Sequence, residues 1–137
     1  MQEFWADLAK RYQIEIVYAF GSRANEVAAL GGYPWTKLPG SASDVDIGVK
    51  PRLGRYLAPL EKVDIAQEIE DALGVSKVDL IVVPEADPFL AANIIRGERL
   101  YCKDKDLADE YDLYILRRAG DLIPLERERM ALIMGQR

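Results

Sequence analysis

The chain has 137 residues, 50% of them hydrophobic and 30% charged, the balance of a folded domain and not of a disordered chain. Its net charge of −5, with no basic run, leaves little attraction for a DNA or RNA polymer. With no histidine and a single cysteine, Cys102, it excludes Ser-His-Asp and Cys-His catalysis, a histidine-containing zinc site and an intrachain disulfide.

Residues 3–12 read as a helix, with Phe4, Trp5, Leu8, Ala9 and Tyr12 on one stripe. The opening residues Met1 to Asp7 lack the basic start and apolar core of a signal peptide. No apolar stretch approaches a membrane span, so a reducing cytoplasm is the expected setting, with no membrane partner. Ile14 to Phe20 is a β-branched and aromatic run, a strand, and it ends at Gly21-Ser22. A short helix from Ser22 to about Leu30 is expected next. Gly31 to Ser43 is dense in Gly, Pro and Ser and reads as a long loop.

Asp44 to Lys50 is the second predicted strand, with Val45, Ile47 and Val49 on the face opposite Asp44, Asp46 and Gly48. Pro59 to Leu73 is an amphipathic helix whose stripe is Leu60, Val63, Ala66, Ile69 and Leu73, with Gly74 as its C-cap. Lys77 to Val83 is a third strand, nearly all apolar and so expected at the sheet centre. Asp87-Pro88 opens another helix, which Gly97 ends, and Glu98 to Lys103 forms a short edge strand. Asp104 to Met134 is helical, with a break expected near Gly120-Asp121 and Pro124. The pattern predicts one α/β or α+β domain over 1–137, a small mixed β-sheet flanked by helices, with 104–137 as a C-terminal helical tail.

The chemistry lies at the strand ends. Asp44 and Asp46, one residue apart, point to the same side of the sheet. Gly21-Ser22 at a turn opening a helix offers backbone N–H groups and a hydroxyl to a phosphate. Asp79 is the only acid within an otherwise apolar run, and if its strand lies beside the Asp44–Asp46 strand three carboxylates converge. An oxygen-only donor set favours Mg²⁺ or Mn²⁺. Together these are the equipment of phosphoryl or nucleotidyl transfer, whereas Asp-x-Asp alone would equally describe a solvent-facing strand. Tyr33 and Trp35 could stack a nucleotide base or pin the loop to the domain. Asp104, Asp106, Asp109, Glu110 and Asp112 could form a solvated helix face or a docking surface for a basic partner, and Cys102 reads as a buried strand residue.

Ala19-Phe20-Gly21-Ser22-Arg23-Ala24, Ser43-Asp44-Val45-Asp46-Ile47-Gly48-Val49 and Val78-Asp79-Leu80-Ile81-Val82 together resemble the minimal nucleotidyltransferase (MNT) family. This is a branch of the DNA polymerase β-like superfamily. The resemblance implies the nucleotidyltransferase fold and a metal-dependent transfer of AMP from ATP to a hydroxyl. It implies a phosphate-binding role for Gly21 and Ser22, with Arg23 in the family's basic position, and a metal-ligand and catalytic role for Asp44, Asp46 and Asp79. Free-standing members are commonly MntA-type antitoxins, encoded beside a HEPN-domain ribonuclease toxin and able to modify one of its tyrosines. A binder that neutralises by contact alone, an aminoglycoside-type enzyme and self-association stay open. Residues 23–43 make the spacing between Ser22 and Asp44 longer than is usual in the family.

Overall fold

A computed structural model of the chain describes residues 2–30 and 44–133, without the side chains of 122–126. Its β-branched runs pair into a four-stranded sheet of order β3-β2-β1-β4. β1 (Ile14–Phe20) and β2 (Val45–Pro51) are central, while β3 (Val78–Val82) and β4 (Glu98–Cys102) are the edges. β1 is antiparallel to β2 and β4, whereas β2 and β3 are parallel. A parallel pair needs a crossover, which α3 (Pro59–Leu73) supplies. The sheet is therefore mixed, as expected.

Alternation along β1 feeds two cores. Val17 and Ala19 join Val45, Ile47 and Val49 on one face, under Trp5, Leu8 and Ala9 of α1 (Gln2–Tyr12) and Ile65, Ile69 and Leu73 of α3. Ile16, Tyr18 and Phe20 face the other way, against α4 (Pro88–Ile95) and against Ala108, Ile115 and Ala119 of α5 (Lys105–Ile133). Ile14 shares a core with Val17, three residues on, because the β1–β2 register shifts between Ile14 and Ile16. Burying each large aliphatic side chain contributes about 1.5–3 kcal/mol. Gly48 lets α4 settle on β2, since a Cβ there would stand 2.5 Å from Ile94 Cγ2.

The helix ends follow from local chemistry. Asp87 Oδ1 accepts from the N–H groups of Phe89 and Leu90 at 2.9 and 3.0 Å, with Pro88 in the first turn of α4. Glu61 Oε1 accepts from the N–H of Ala58 at 3.0 Å at the start of α3, and Gly74 ends that helix at φ 71°. Asp104 Oδ1 accepts from Asp106 and Leu107 N–H at 2.9 and 3.1 Å and starts α5.

Several expectations are corrected. β3 is an edge strand, not a central one. Its apolar run arises because Leu80 packs into one core and Ile81 into the other, so both faces are covered while one edge stays open. α5 is continuous through Gly120 and Pro124. A side chain at Gly120 would meet nothing within 4 Å, so this glycine costs about 1 kcal/mol of helix propensity without ending the helix. The buried stripe of α3 is Ile65, Ile69 and Leu73, leaving Leu60 and Val63 77% and 59% exposed. Cys102 is half-buried, not buried. The expected 31–43 loop, with Tyr33 and Trp35, lies outside the described residues.

Candidate functional site

The register of β2 and β3 sets Asp46 directly beside Asp79 and Val45 beside Val78. One step earlier, Val45 N–H donates to the carbonyl of Lys77 at 3.2 Å, so Asp44 and Lys77 flank the same end of the pair. Side chains alternate along a strand, so Asp44, Asp46, Lys77 and Asp79 share one face. The strand of Asp79 does lie beside the Asp44–Asp46 strand, as an edge, and the three carboxylates share that face.

β1 adds the turn. Phe20 pairs with Asp46, so the chain leaves β1 immediately above that carboxylate. Gly21 has φ +77°, and a Cβ on it would collide with Asp46 Oδ2. Only glycine combines this left-handed backbone with so close an approach. Gly21 and Ser22 are exposed, and Ala24 N–H donates back to the Gly21 carbonyl at 3.3 Å. The following helix, α2 (Ala24–Ala28), starts two residues later than expected and spans only five residues. Any N–H groups offered to a phosphate here belong to the turn, not to a long helix. Arg23, the N-cap, is 3% exposed, with its guanidinium 3.3 Å from Glu26 Oε2. Its side chain is buried and not laid out on the surface.

Electrostatics mark the same spot. Burial pushes the Asp46 carboxyl above its ordinary value of 3.8, and the negative charges of Asp79 and Asp44 push it further. Asp79 and Asp44, in turn, push the Lys77 ammonium above its ordinary value. Lys77 Nζ stands 3.6 Å from both Asp44 Oδ2 and Asp79 Oδ1. Sequence reasoning assigned Lys77 no place in the site. The signal was its position two residues before Asp79, on the same strand face.

Among the described residues no set of three or more His, Cys, Asp or Glu side chains could hold a metal ion. The carboxylates share a face without closing on one point. They nevertheless suit a hard divalent cation. All three are oxygen donors, and the like-charge crowding around Asp46 is what a cation would relieve.

Grooves lie at the opposite end of the sheet, one of about 450 Å³ lined by Glu15, Lys50, Lys103, Asp104, Glu110 and Tyr111. Its acids are partly answered, since Glu15 pairs with Lys50 at 2.7 Å and Asp104 caps α5, whereas the acids of the Gly21–Asp46–Asp79 corner crowd one another. In the tail, two of the five acids, Asp109 and Asp112, meet the chain's own cations. Asp109 pairs with Arg99 and Lys105, and Asp112 pairs with Arg99. That reduces the free acid a basic partner could meet.

Residues 5–106, the span holding the Gly21 turn and all three carboxylates, match the family model described as polymerase beta, nucleotidyltransferase. The chain belongs to this nucleotidyltransferase family. Among solved structures, a mutant MntA–HpeT toxin–antitoxin complex superposes with a TM-score of 0.69 at 19% identity, over 98% of this chain and 97% of that one. A toxin–antitoxin structure with AMP-PNP gives 0.68 at 20% identity, over 98% and 96%. A tri-AMPylated Shewanella oneidensis HEPN toxin in complex with MNT antitoxin gives 0.64 at 19% identity, over 98% of each chain. At these identities the likeness establishes the nucleotidyltransferase fold. No curated protein sequence matches the chain. Among the described residues no helix is long and apolar enough to cross a membrane.

Proposed function

We propose that this nucleotidyltransferase transfers AMP from ATP to a hydroxyl, and that it acts as an MNT antitoxin whose acceptor is a tyrosine of a HEPN-domain toxin. The observation that carries the reading is the Asp46–Asp79 register beneath the Gly21 turn. It is supported by structural neighbours whose own descriptions name AMP-PNP and an AMPylated HEPN toxin bound to an MNT antitoxin.

Each residue has a role in this reading. The N–H groups of the Gly21–Ser22 turn and the Ser22 hydroxyl bind the terminal phosphates. Arg23 fixes the turn through α2. Asp44, Asp46 and Asp79, which do not close on one point by themselves, would hold Mg²⁺ or Mn²⁺ together with the nucleotide's phosphate oxygens. The ion supplies charge neutralisation of the triphosphate and of the oxygens of the reacting phosphate. Asp79, 43% exposed and on the edge strand, stands where an acceptor can approach and takes the proton of the hydroxyl. The acceptor oxygen bonds to the α-phosphorus, the bond to the bridging oxygen breaks, and pyrophosphate leaves with that electron pair.

The test uses ATP labelled at the α-phosphate and the product of the neighbouring reading frame, which this reading expects to be a HEPN-domain protein. Asp79→Asn is nearly isosteric and should fold, while transfer falls by at least about 10²-fold. A folded Asp79→Asn protein with full transfer would remove Asp79 from catalysis. A wild type that neutralises the toxin without labelling it would replace transfer by contact inhibition.

A further inference from the structure

We propose that Lys77 is a resident counter-cation of the carboxylate cluster, one that competes with the divalent metal for Asp44 and Asp79 and yields when nucleotide arrives. The inference rests on the reading of those carboxylates as metal ligands and goes beyond it by making metal loading depend on nucleotide.

Geometry sets Lys77 apart from the other described lysines that pair with a carboxylate. Lys50 stands 2.7 Å from Glu15, Lys62 2.9 Å from Glu85 and Lys105 2.8 Å from Asp109, each a committed pair with one carboxylate. Lys77 instead straddles two carboxylates, 3.6 Å from each, and its side chain is 63% exposed. Strong ammonium–carboxylate hydrogen bonds are shorter, about 2.7–2.9 Å. The ammonium is thus centred by two charges and clamped by neither. Its flexible four-carbon stem lets it swing into solvent at little cost.

Charge decides when it moves. Asp44, Asp46 and Asp79 share one face of the β2–β3 pair, and Lys77 offsets part of their charge. A divalent cation approaching Asp44 and Asp79 meets the ammonium first, and the two repel. A metal–triphosphate complex changes the balance, because its phosphate oxygens offer the displaced ammonium a new anionic partner. Metal alone then binds weakly, and nucleotide and metal favour each other reciprocally. Lys77 acts through the carboxylates as a positioning residue.

The test titrates the nucleotide-free full chain with Mn²⁺, reading free Mn²⁺ by electron paramagnetic resonance. Lys77→Met keeps the stem and removes the charge. It should bind Mn²⁺ about fivefold more tightly than wild type, the scale of one exposed charge pair. Lys77→Arg keeps the charge and should stay near wild type. With AMP-PNP present, the advantage of Lys77→Met should vanish or reverse. Equal or weaker Mn²⁺ binding by Lys77→Met, in a protein whose Asp44→Asn/Asp46→Asn variant loses Mn²⁺, would overturn the inference and leave the metal reading standing. No Mn²⁺ binding by wild type or Lys77→Met, with or without AMP-PNP, would overturn both.

Discussion

Two acidic clusters lie at different corners of this sheet, and the chain treats them in opposite ways. Where α5 crosses β1 and β4, each carboxylate is answered. Asp112 accepts from the Tyr18 hydroxyl at 2.5 Å and from Arg99 at 2.7 Å, and Asp109 pairs with Arg99 at 3.0 Å and Lys105 at 2.8 Å. Tyr18 is fully buried, and burial together with Asp112 pushes its phenol up, so it remains a donor. At the Gly21 corner, Asp44 and Asp79 share one lysine at 3.6 Å, and Asp46 is held above its ordinary value. The first cluster gives both its carboxylates donors and fastens a helix to a sheet, although Arg99 Nε is buried without a partner among the described residues. The second keeps unmet negative charge beside an open backbone turn. Folding stability alone gives no reason to keep such charge, whereas binding a cation and a phosphate does.

Breaking the first cluster should cost most. Arg99→Ala leaves Asp112 and Asp109 without their shared donor, and urea denaturation should show a loss of about 2 kcal/mol. The same change should leave nucleotide binding intact, since Arg99 lies across β1 from Asp46 and is engaged with α5. A loss below about 0.5 kcal/mol, no more than an ordinary surface substitution, would mean the cluster does not fasten α5.

The second cluster should respond the other way. Asp79→Asn removes one of the charges raising Asp46, so the metal-free fold should be unchanged or stabilised within about 0.5 kcal/mol in the same denaturation experiment. A loss of about 2 kcal/mol or more, the scale expected for Arg99→Ala, would erase the contrast and make Asp79 a structural residue.

A smaller effect comes from a third acid. Glu68 receives Arg11 at 2.6 and 3.0 Å and the Tyr12 hydroxyl at 2.9 Å, tying α3 to α1. The Arg11 hydrogen bonds hold its carboxyl below the ordinary 4.5, against the upward push of burial. A depressed carboxylate stabilises the fold above its ordinary value, and that contribution is lost as pH falls through the depressed value. Glu68→Gln should therefore destabilise at neutral pH and converge with wild type as pH falls through the depressed value. The difference should be about 0.5 kcal/mol, because Arg11 is 44% exposed and screened by water. A difference that persists unchanged into acid would assign it to packing instead of charge.

Much of this contrast is legible in the amino-acid sequence. β1, β2, the shared face of Asp44 and Asp46, and the Asp87–Pro88 helix start follow from patterns only a few residues long. What escapes depends on neighbours. The apolar run of β3 reports that helices cover both its faces, and it carries no information about which strand lies beside it. Leu60 and Val63 fit helical spacing, but the Ile65–Ile69–Leu73 row is the one that meets the sheet. Gly120 looks like a stop, yet an exposed glycine in a 29-residue helix with buried contacts at Ala108, Ile115 and Ala119 is a tolerable local cost. The place of Lys77 needs the parallel register, which sets it beside Asp44.

The most direct test of the central claim, that the under-neutralised corner is a metal–nucleotide site, is calorimetric titration of wild type and Asp44→Asn/Asp46→Asn with Mn²⁺–AMP-PNP. The account predicts one saturable site in wild type and at least about a tenfold loss of affinity in the double variant, or about 1.4 kcal/mol. Equal affinity in the two proteins, with the double variant folded, would contradict it.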